Sequence, residues 1–445
     1  MLRFTGPFGT ALLLAFVLLS STGAVAATQT APPRPELSAE TLIEAARVAL
    51  ARGVLDDAQF LLDGVKPGEG DIDAVDFLRG TIAAKRGDWQ EAISRFRAML
   101  ARNPNLPRVR LDLAFAYFQA GEDGNAAYHF RLALGTEDLP EIVRARTLAF
   151  LDAIRRRKTW SVTGSFAILP DSNINNATSA RQVELFGLPA TLSEDARQTS
   201  GVGVSANVSG GYEARISQDL RFRVGGGLRT RTYRDDRFNE RIVSLRAGPR
   251  VLFDRFDLRP ELTARQRWLG GEAYSHALGA ALSGNWLIGE GWRLGASLGR
   301  ERIDYETFLG GGNIDSAGLN LSHALGSATL LRAETALRRE RLGSDAFSWR
   351  EILVGLSASR ELPLGFVLSG GPIYRWREYD APIPLYGPNA RRDRTLAGRI
   401  TVSNRNVELF GFMPELTLRH ERRNSNIALY DYRRTAGELG VVRSF

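Results

Sequence analysis

The chain has 445 residues, enough for two domains of ordinary size, and a formal net charge of +8 carried mostly by arginine. It contains no cysteine, which excludes disulfides, thiolate metal sites, a cysteine nucleophile and lipid attachment to an N-terminal cysteine. It has only four histidines, none of them near neighbours, so neither a histidine metal cluster nor a bound cofactor is expected. The basic charge would suit acidic partners such as lipopolysaccharide or nucleic acid but selects none of them.

The N-terminus has the pattern of a secretory signal peptide. Arg3 provides a positive charge, residues 11–19 are apolar, and small residues suitable for cleavage end the segment at position 26. The apolar run is shorter than the about 20 residues that a membrane-spanning helix needs. We therefore expect a signal peptide over 1–26, which is removed during export, and a proline-rich linker over 27–38.

Beyond the linker, glycine, alanine and a bulky apolar residue each recur with a period of 34 residues. This period resembles the tetratricopeptide repeat, in which glycine allows a tight turn, alanine lets helices approach and the larger residue fills the groove between units. The predicted repeat-packing residues, with the proline that closes the middle unit, are Gly53, Ala58, Leu62, Gly87, Ala92, Phe96, Pro104, Gly121, Ala126 and Phe130. We expect a helical array over 39–158 that ends in one closing helix (140–157). Such an array would bind a peptide or protein on its concave face, or else serve as a rigid spacer or plug.

From residue 159 the hydrophobic period changes from 3.6 to 2. In 220–232 apolar residues alternate with arginines, and similar alternation recurs over 329–340 and 407–421. A charged face this dense cannot form a dry core, because an unpaired buried charge is costly. A transmembrane barrel resolves the conflict, since its apolar face meets lipid and its polar face lines a wet lumen. We predict an antiparallel β-barrel of about 14 strands over 159–445. The strands are expected to begin near 159, 198, 219, 239, 256, 271, 291, 313, 327, 346, 363, 392, 406 and 430.

Two further features favour a barrel that lies in outer-membrane lipid. Six tryptophans lie in or at the ends of predicted strands, where interfacial girdles occur: Trp160, Trp268, Trp286, Trp292, Trp349 and Trp376. The chain ends in Phe445 on an alternating strand, which resembles the signal by which the barrel assembly machinery recognises outer-membrane barrels. Arg443 departs from that signal, at a position that is usually apolar or aromatic.

The segment LPDSNINNA (169–177) follows the first alternating strand. Pro170 cannot donate to a strand ladder, and the side chains of Asp, Ser and Asn satisfy nearby backbone groups in turns. A polar loop is one interpretation. A calcium site built on Asp171 is another, although one carboxylate is few for calcium.

The order of signal peptide, helical repeats and barrel resembles the Slam family, the surface lipoprotein assembly modulators, which are outer-membrane components of type XI secretion. The resemblance is most specific in the repeats (39–138) and in the LPDSNINNA segment. It implies that the chain helps specific lipoproteins, or related soluble proteins, to cross the outer membrane to the cell surface. The periplasmic repeats would engage this cargo or the chaperones that carry it, and the barrel would be its route or lateral gate. Asp171, Asn173, Asn175 and Asn176 then become candidate cargo contacts at the start of the barrel.

Other classes of function fit the sequence less well. An enzyme is not expected, because Ser275-His276 and Ser322-His323 are adjacent in sequence and point to opposite faces of a strand. An exopolysaccharide exporter also joins such repeats to a barrel, but its lumen would bind sugars through aromatic and acidic residues, whereas the charged faces here favour arginine. A solute uptake channel would not need the repeats. Nucleic-acid binding fits neither the export signal nor arginines that alternate inward.

Overall fold

The computed structural model describes residues 37–444 apart from 158, 290, 408 and 410. The predicted signal peptide, residues 27–36 of the linker and Phe445 lie outside the described residues. The fold confirms the prediction of a helical array followed by an antiparallel barrel of about 14 strands.

Three helical pairs and one closing helix make up the array. The helices are α1 (Ala39–Ala51), α2 (Leu55–Asp63), α3 (Ile72–Arg86), α4 (Trp89–Arg102), α5 (Pro107–Gln119), α6 (Asp123–Ala133) and α7 (Glu141–Arg157). Gly53, Gly87 and Gly121 each lie between the two helices of a pair, with φ values of +81°, +81° and +80°. Glycine takes this left-handed conformation without the strain that a Cβ causes, which explains why the 34-residue period has glycine at these turns.

The other repeated residues lie where helices meet. The repeated alanines have no exposed surface and the bulky residues that follow them are buried: Ala58, Ala92, Ala126, Leu62, Phe96 and Phe130. The ring of Phe96 lies against Gly80, where an added Cβ would be 2.7 Å from the nearest ring carbon. Pro104 follows α4 and is buried, and its carbonyl accepts a hydrogen bond from Arg110 Nη2 at 2.7 Å.

The turn between α5 and α6 allows a matched test of backbone strain. An added Cβ would meet nothing within 4 Å at either Gly121 or Gly124, so crowding does not distinguish the two positions. Gly121→Ala should lower the free energy of unfolding by about 1 kcal/mol, because only this glycine has a positive φ. Gly124→Ala lies in a helix and should raise it by about 0.5 kcal/mol. Chemical denaturation followed by the helical circular dichroism signal measures both, and equal effects of the two substitutions would contradict the strain argument.

Fourteen strands form a closed antiparallel barrel in which the first strand pairs with the last. They are β1 (Trp160–Asp171), β4 (Gly201–Arg215), β5 (Leu220–Tyr233), β6 (Glu240–Leu252), β7 (Phe256–Leu269), β8 (Glu272–Gly289), β9 (Trp292–Tyr305), β10 (Gly311–Leu325), β11 (Thr329–Leu342), β12 (Trp349–Glu361), β13 (Phe366–Tyr379), β14 (Arg392–Asn404), β15 (Met413–Ser425) and β16 (Tyr432–Ser444). The long loop after β1 contains a separate hairpin, β2 (Gln182–Leu185) and β3 (Leu188–Thr191).

The predicted strand starts agree with the structure to within a few residues, with one exception. β15 begins at Met413 rather than near 406. The residues before it form a turn in which Leu409 and Phe412 exchange backbone hydrogen bonds, at 2.8 and 2.9 Å. The apolar residues of this turn continue the alternation of the strand, which explains why the sequence pattern placed the start too early.

The two faces of the barrel differ in polarity. Apolar side chains such as Leu262 (70% exposed) and Leu298 (60% exposed) point outward from the middle of their strands. Inward-facing arginines pair with carboxylates on nearby strands, for example Arg250 with Glu213 at 2.9 Å, Arg265 with Glu301 at 2.9 Å and Arg377 with Glu351 at 2.7 Å. An apolar outer face and a polar, ion-paired interior are the arrangement of a barrel that spans a membrane.

One of the six tryptophans does not belong to an outer girdle. Trp160 and Trp292 lie on the outer surface, 54% and 39% exposed, as predicted. Trp349 is 8% exposed and faces the lumen, where the Arg377 guanidinium lies 4.0 Å from the centre of its ring. The prediction is wrong for Trp349, because strand alternation places it on the inner face and a cation–π contact replaces lipid.

The helical array lies across one end of the barrel, which we call the near end. The turns after β4 and β10 lie there, together with the end of β12. The opposite end, with Asp171 at the end of β1, is the far end. Among the described residues, no helix is long and apolar enough to cross a membrane.

Candidate functional site

The array contacts the near end at widely separated points. Arg156 Nη1 donates to Asp219 Oδ1 at 2.6 Å in the turn after β4. Gly135 approaches the turn after β10 so closely that an added Cβ would lie 2.4 Å from the Gly326 carbonyl oxygen. Because β4 and β10 lie on opposite sides of the barrel, the array spans the opening rather than resting on one edge.

A buried arginine connects the array to the wall of the barrel. Arg110, in α5, has no exposed surface and donates to three acceptors. Its Nη2 donates to Glu361 Oε2 at 2.6 Å and to the Pro104 carbonyl at 2.7 Å, and its Nη1 lies 3.0 Å from His129 Nδ1. Glu361 is the last residue of β12, so this ion pair joins the two parts of the chain. A buried pair of this kind holds its partners in one geometry, because removing either partner leaves an uncompensated charge.

A second arginine extends this network from the barrel. Arg405, in the turn before β15, lies with its guanidinium 3.8 Å from the ring centre of Tyr128 and its Nε 3.8 Å from Glu361 Oε1. Burial raises the pKa of the Tyr128 hydroxyl, and the positive charge of Arg405 acts in the opposite direction. Tyr128 therefore stays neutral and offers a ring face to the arginine.

A cavity of about 900 Å³ lies between the array and the near end. Its wall combines apolar, basic and acidic side chains, including Ile93, Leu113, Tyr117, Phe366, Val367, Met413, Arg97, Arg157, Arg405, Glu122, Asp123 and Glu361. A space of this size can take several side chains of an extended peptide. Two of the arginines pair with carboxylates of the same wall, Arg157 with Asp123 and Arg405 with Glu361.

Protonation of His129 should loosen this junction. Burial lowers the pKa of His129 well below its ordinary value of 6.5, and the charges of Arg110, Arg405 and Arg97 lower it further. The unfolded chain therefore binds the proton at higher pH than the folded chain does, and stability is lost as the pH falls below 6.5. The expected slope is about 1.4 kcal/mol per pH unit until the folded protein is also protonated.

Thermal unfolding of the helical signal between about pH 7 and about pH 5 measures this slope. His129→Gln keeps an acceptor for Arg110 but cannot be protonated, so its melting temperature should fall less over the same range. His420→Gln, at an exposed position in β15, serves as the control and should behave as the unmodified chain. An unchanged pH dependence in His129→Gln would remove His129 as the cause.

The four predicted cargo contacts lie at the far end, away from the array. Asp171 is 4% exposed and accepts from Arg434 Nε at 2.9 Å, while Asn173 has no exposed surface. Asn173 Nδ2 donates to the carbonyls of Ala177 and Arg433, at 2.9 and 3.1 Å. The segment therefore joins the end of β1 to β16.

Asn175 and Asn176 hold the same segment in place in different ways. Asn175 Nδ2 donates to the Arg197 carbonyl at 2.7 Å and its Oδ1 accepts from Thr199 N at 3.1 Å. Asn176 is exposed and has φ of 52°, and its Oδ1 accepts from Arg434 Nη1 at 3.1 Å. The structure thus separates the predicted repeat residues from the predicted far-end residues by the length of the barrel.

The residues that join the array to the barrel were not among those predicted from the sequence. Arg110, Glu361 and Arg405 carried no motif. Arg110 could have been noticed, because it lies beside Val109 and three residues before Leu113 in a stripe that is otherwise buried. Glu361 and Arg405 gave no such signal, since charged residues at strand ends and in turns are common.

Comparison with known proteins is consistent with this architecture. Residues 160–445 match the family described as "Surface lipoprotein assembly modifier", and residues 37–130 match "Surface lipoprotein assembly modifier, N-terminal TPR repeats". The chain is 25% identical over 386 residues to "Surface lipoprotein assembly modifier 1" of Neisseria meningitidis, covering 83% of this chain and 75% of that protein. It is 22% identical over 386 residues to "Hemophilin secretion modulator" of Acinetobacter baumannii, covering 80% of this chain and 76% of that protein.

A solved structure of OmpT from Vibrio cholerae, an outer membrane protein with loop L8 deleted, aligns with a TM-score of 0.36 and 9% identity, covering 64% of this chain and 99% of that one. The family match extends over the whole barrel, and the match to the N-terminal repeats covers most of the helical array. The chain belongs to the surface lipoprotein assembly modifier family.

Proposed function

We propose that this chain is an outer-membrane translocation factor that helps deliver specific lipoproteins, or related soluble proteins, to the bacterial cell surface. The observation that carries the proposal is the helical repeat array docked across the near end of a closed barrel, in a family described as modifying surface lipoprotein assembly. A bare channel has no use for such an array. The name of the relative that modulates secretion of hemophilin supports the inclusion of soluble cargo.

The barrel lies in the bacterial outer membrane, and the array lies on its periplasmic side. In the proposal, cargo delivered by periplasmic chaperones first meets the array and the cavity of about 900 Å³ between array and barrel. The barrel then provides the route across the membrane. The mechanism needs binding and release of polypeptide but no covalent chemistry, so we propose no catalytic residue.

We propose that the chain is divided as predicted, into signal peptide (1–26), linker (27–38), periplasmic repeats (39–158) and barrel (159–445). We also propose that the barrel assembly machinery recognises Phe445. Among the four far-end residues, Asn176 is the one whose exposure suits a contact with emerging cargo, whereas Asp171 and Asn173 are buried.

Surface accessibility of lipoproteins tests the proposal. Cells with and without this chain are treated with external protease, and the protected proteins are identified by mass spectrometry. We expect one or a few lipoproteins or secreted proteins to lose surface exposure without the chain while their total amounts stay the same. Unchanged surface proteins together with reduced polysaccharide release or reduced solute uptake would overturn the proposal in favour of an exporter or channel.

A further inference from the structure

Three arginines near the far end point outward from consecutive strands: Arg394 in β14, Arg422 in β15 and Arg433 in β16. Alternation along each strand places them on the same face as Leu396, Leu418 and Leu439, which are 59%, 54% and 61% exposed on the outer surface. All three arginines are exposed. They therefore face the surroundings of the barrel and not its lumen.

Strand register brings the three arginines together. Arg422 lies directly opposite Arg433 in the β15–β16 pair. In the β14–β15 pair, Arg394 lies opposite Asn424 and Leu396 lies opposite Arg422, so Arg394 and Arg422 are diagonal neighbours. Like charges directly opposite each other destabilise a sheet, so this arrangement costs stability unless an anion lies between the arginines.

Neighbouring arginines on the same outer surface do have acidic partners. Arg350 and Arg392 pair with Glu378 at 2.7 and 2.9 Å, and Arg341 pairs with Asp315 at 2.6 Å. Within the described part of the chain, none of Arg394, Arg422 and Arg433 forms an ion pair. Arg422 Nε donates only to Asn424 Oδ1, at 3.0 Å. These three unpaired arginines lie side by side on adjacent strands.

The height of the three arginines along the barrel identifies their surroundings. Arg394 lies two residues closer to the far end than the lipid-facing Leu396, which is about 7 Å along a strand. Trp376 lies opposite Arg394 in the β13–β14 pair, and Tyr374 on the same face is 44% exposed. Exposed aromatic residues beside an apolar band mark the level where hydrocarbon meets head groups. Because the array marks the periplasmic end, this level belongs to the outer leaflet.

We propose that Arg394, Arg422 and Arg433 form a binding site for the phosphate groups of an anionic glycolipid in the outer leaflet, of the lipopolysaccharide type. Guanidinium groups bind phosphate in a bidentate manner, and clusters of basic residues at membrane interfaces bind anionic lipid head groups. The acyl chains of the lipid would cover the apolar face formed by Leu396, Leu418 and Leu439. This inference rests on the outer-membrane location alone and is independent of the cargo.

Lipid binding by purified full-length chain tests the site. The probes are bisphosphorylated lipid A, the same lipid with its phosphates removed, and inorganic phosphate. We expect the triple substitution Arg394→Gln, Arg422→Gln and Arg433→Gln to weaken binding of bisphosphorylated lipid A about 100-fold. The dephosphorylated lipid should bind weakly to all variants, and inorganic phosphate should not displace the lipid, because it has no acyl chains.

The matched control removes three outward arginines that have carboxylate partners: Arg300→Gln, Arg302→Gln and Arg341→Gln. This control should bind lipid A nearly as the unmodified chain does. Heat-modifiable migration on a gel shows that each variant is folded. Equal losses in both triple variants, no loss in the first one, or displacement of the lipid by inorganic phosphate would each overturn the proposal.

Discussion

Glu361→Gln should release the helical array from the barrel. The substitution removes the charge that partners Arg110, which has no exposed surface. Breaking a buried ion pair on one side costs about 3 to 5 kcal/mol, because the remaining charge is left desolvated. Arg405, whose Nε lies 3.8 Å from the same carboxylate, would lose that interaction as well. The array should then melt at a lower temperature than in the unmodified chain, while the barrel stays folded.

The measurement combines two signals from one sample. Thermal loss of helical circular dichroism reports the array, and heat-modifiable migration on a gel reports the barrel. Glu334→Gln is the matched control, because Glu334 is an exposed lumen-facing glutamate in β11. Surface delivery of cargo should fall with Glu361→Gln and not with Glu334→Gln. Unchanged array melting in Glu361→Gln would show that the Arg110–Glu361 pair does not hold the array in place.

Asp171→Ala should open the barrel seam between β1 and β16 at the far end. Their pairing is continuous from Thr163↔Ser444 to Ile168↔Leu439, and the next registered pair is Asp171↔Ala436. Pro170, which lies between these two registered pairs, has no N–H to donate to β16. Beyond it, the seam depends on the ion pair of Asp171 with Arg434 and on the hydrogen bond from Ser172 N to the Thr435 carbonyl, at 3.0 Å. Loss of the Asp171 carboxylate leaves Arg434 without its charge partner, at a cost of about 3 kcal/mol.

Hydrogen exchange at the backbone amides of 435–439 is the direct measurement. We expect faster exchange there in Asp171→Ala and unchanged exchange in the β7–β8 pair on the other side of the barrel. Asp315→Ala is the control, because its carboxylate pairs with Arg341 on the outer surface, where an exposed pair contributes at most about 1 kcal/mol. Equal protection of the seam in Asp171→Ala and the unmodified chain would show that the strand ladder alone closes the barrel.

The sequence by itself determined the two periods of the chain. The 34-residue period fixed the turns at Gly53, Gly87 and Gly121, because a left-handed turn selects glycine locally. The alternation beyond residue 159 predicted the barrel and nearly all of its strand starts, because the polarity of each side chain follows directly from which face it lies on. Two predictions were wrong. Trp349 lies on the inner face of its strand and not in an outer girdle. β15 was predicted to start too early, because the apolar residues of the turn before it continue the alternation of the strand.

The tertiary structure alone decided how the two parts meet. Arg110, Glu361 and Arg405 are far apart in the sequence, so no local pattern could show that they share one buried network. The register of the strands likewise decided that Arg422 lies opposite Arg433 and that Asp171 reaches Arg434 across the seam. Periodicity is a local consequence of backbone geometry and burial, whereas ion pairing between distant strands and helices depends on contacts that only the closed barrel and the docked array create.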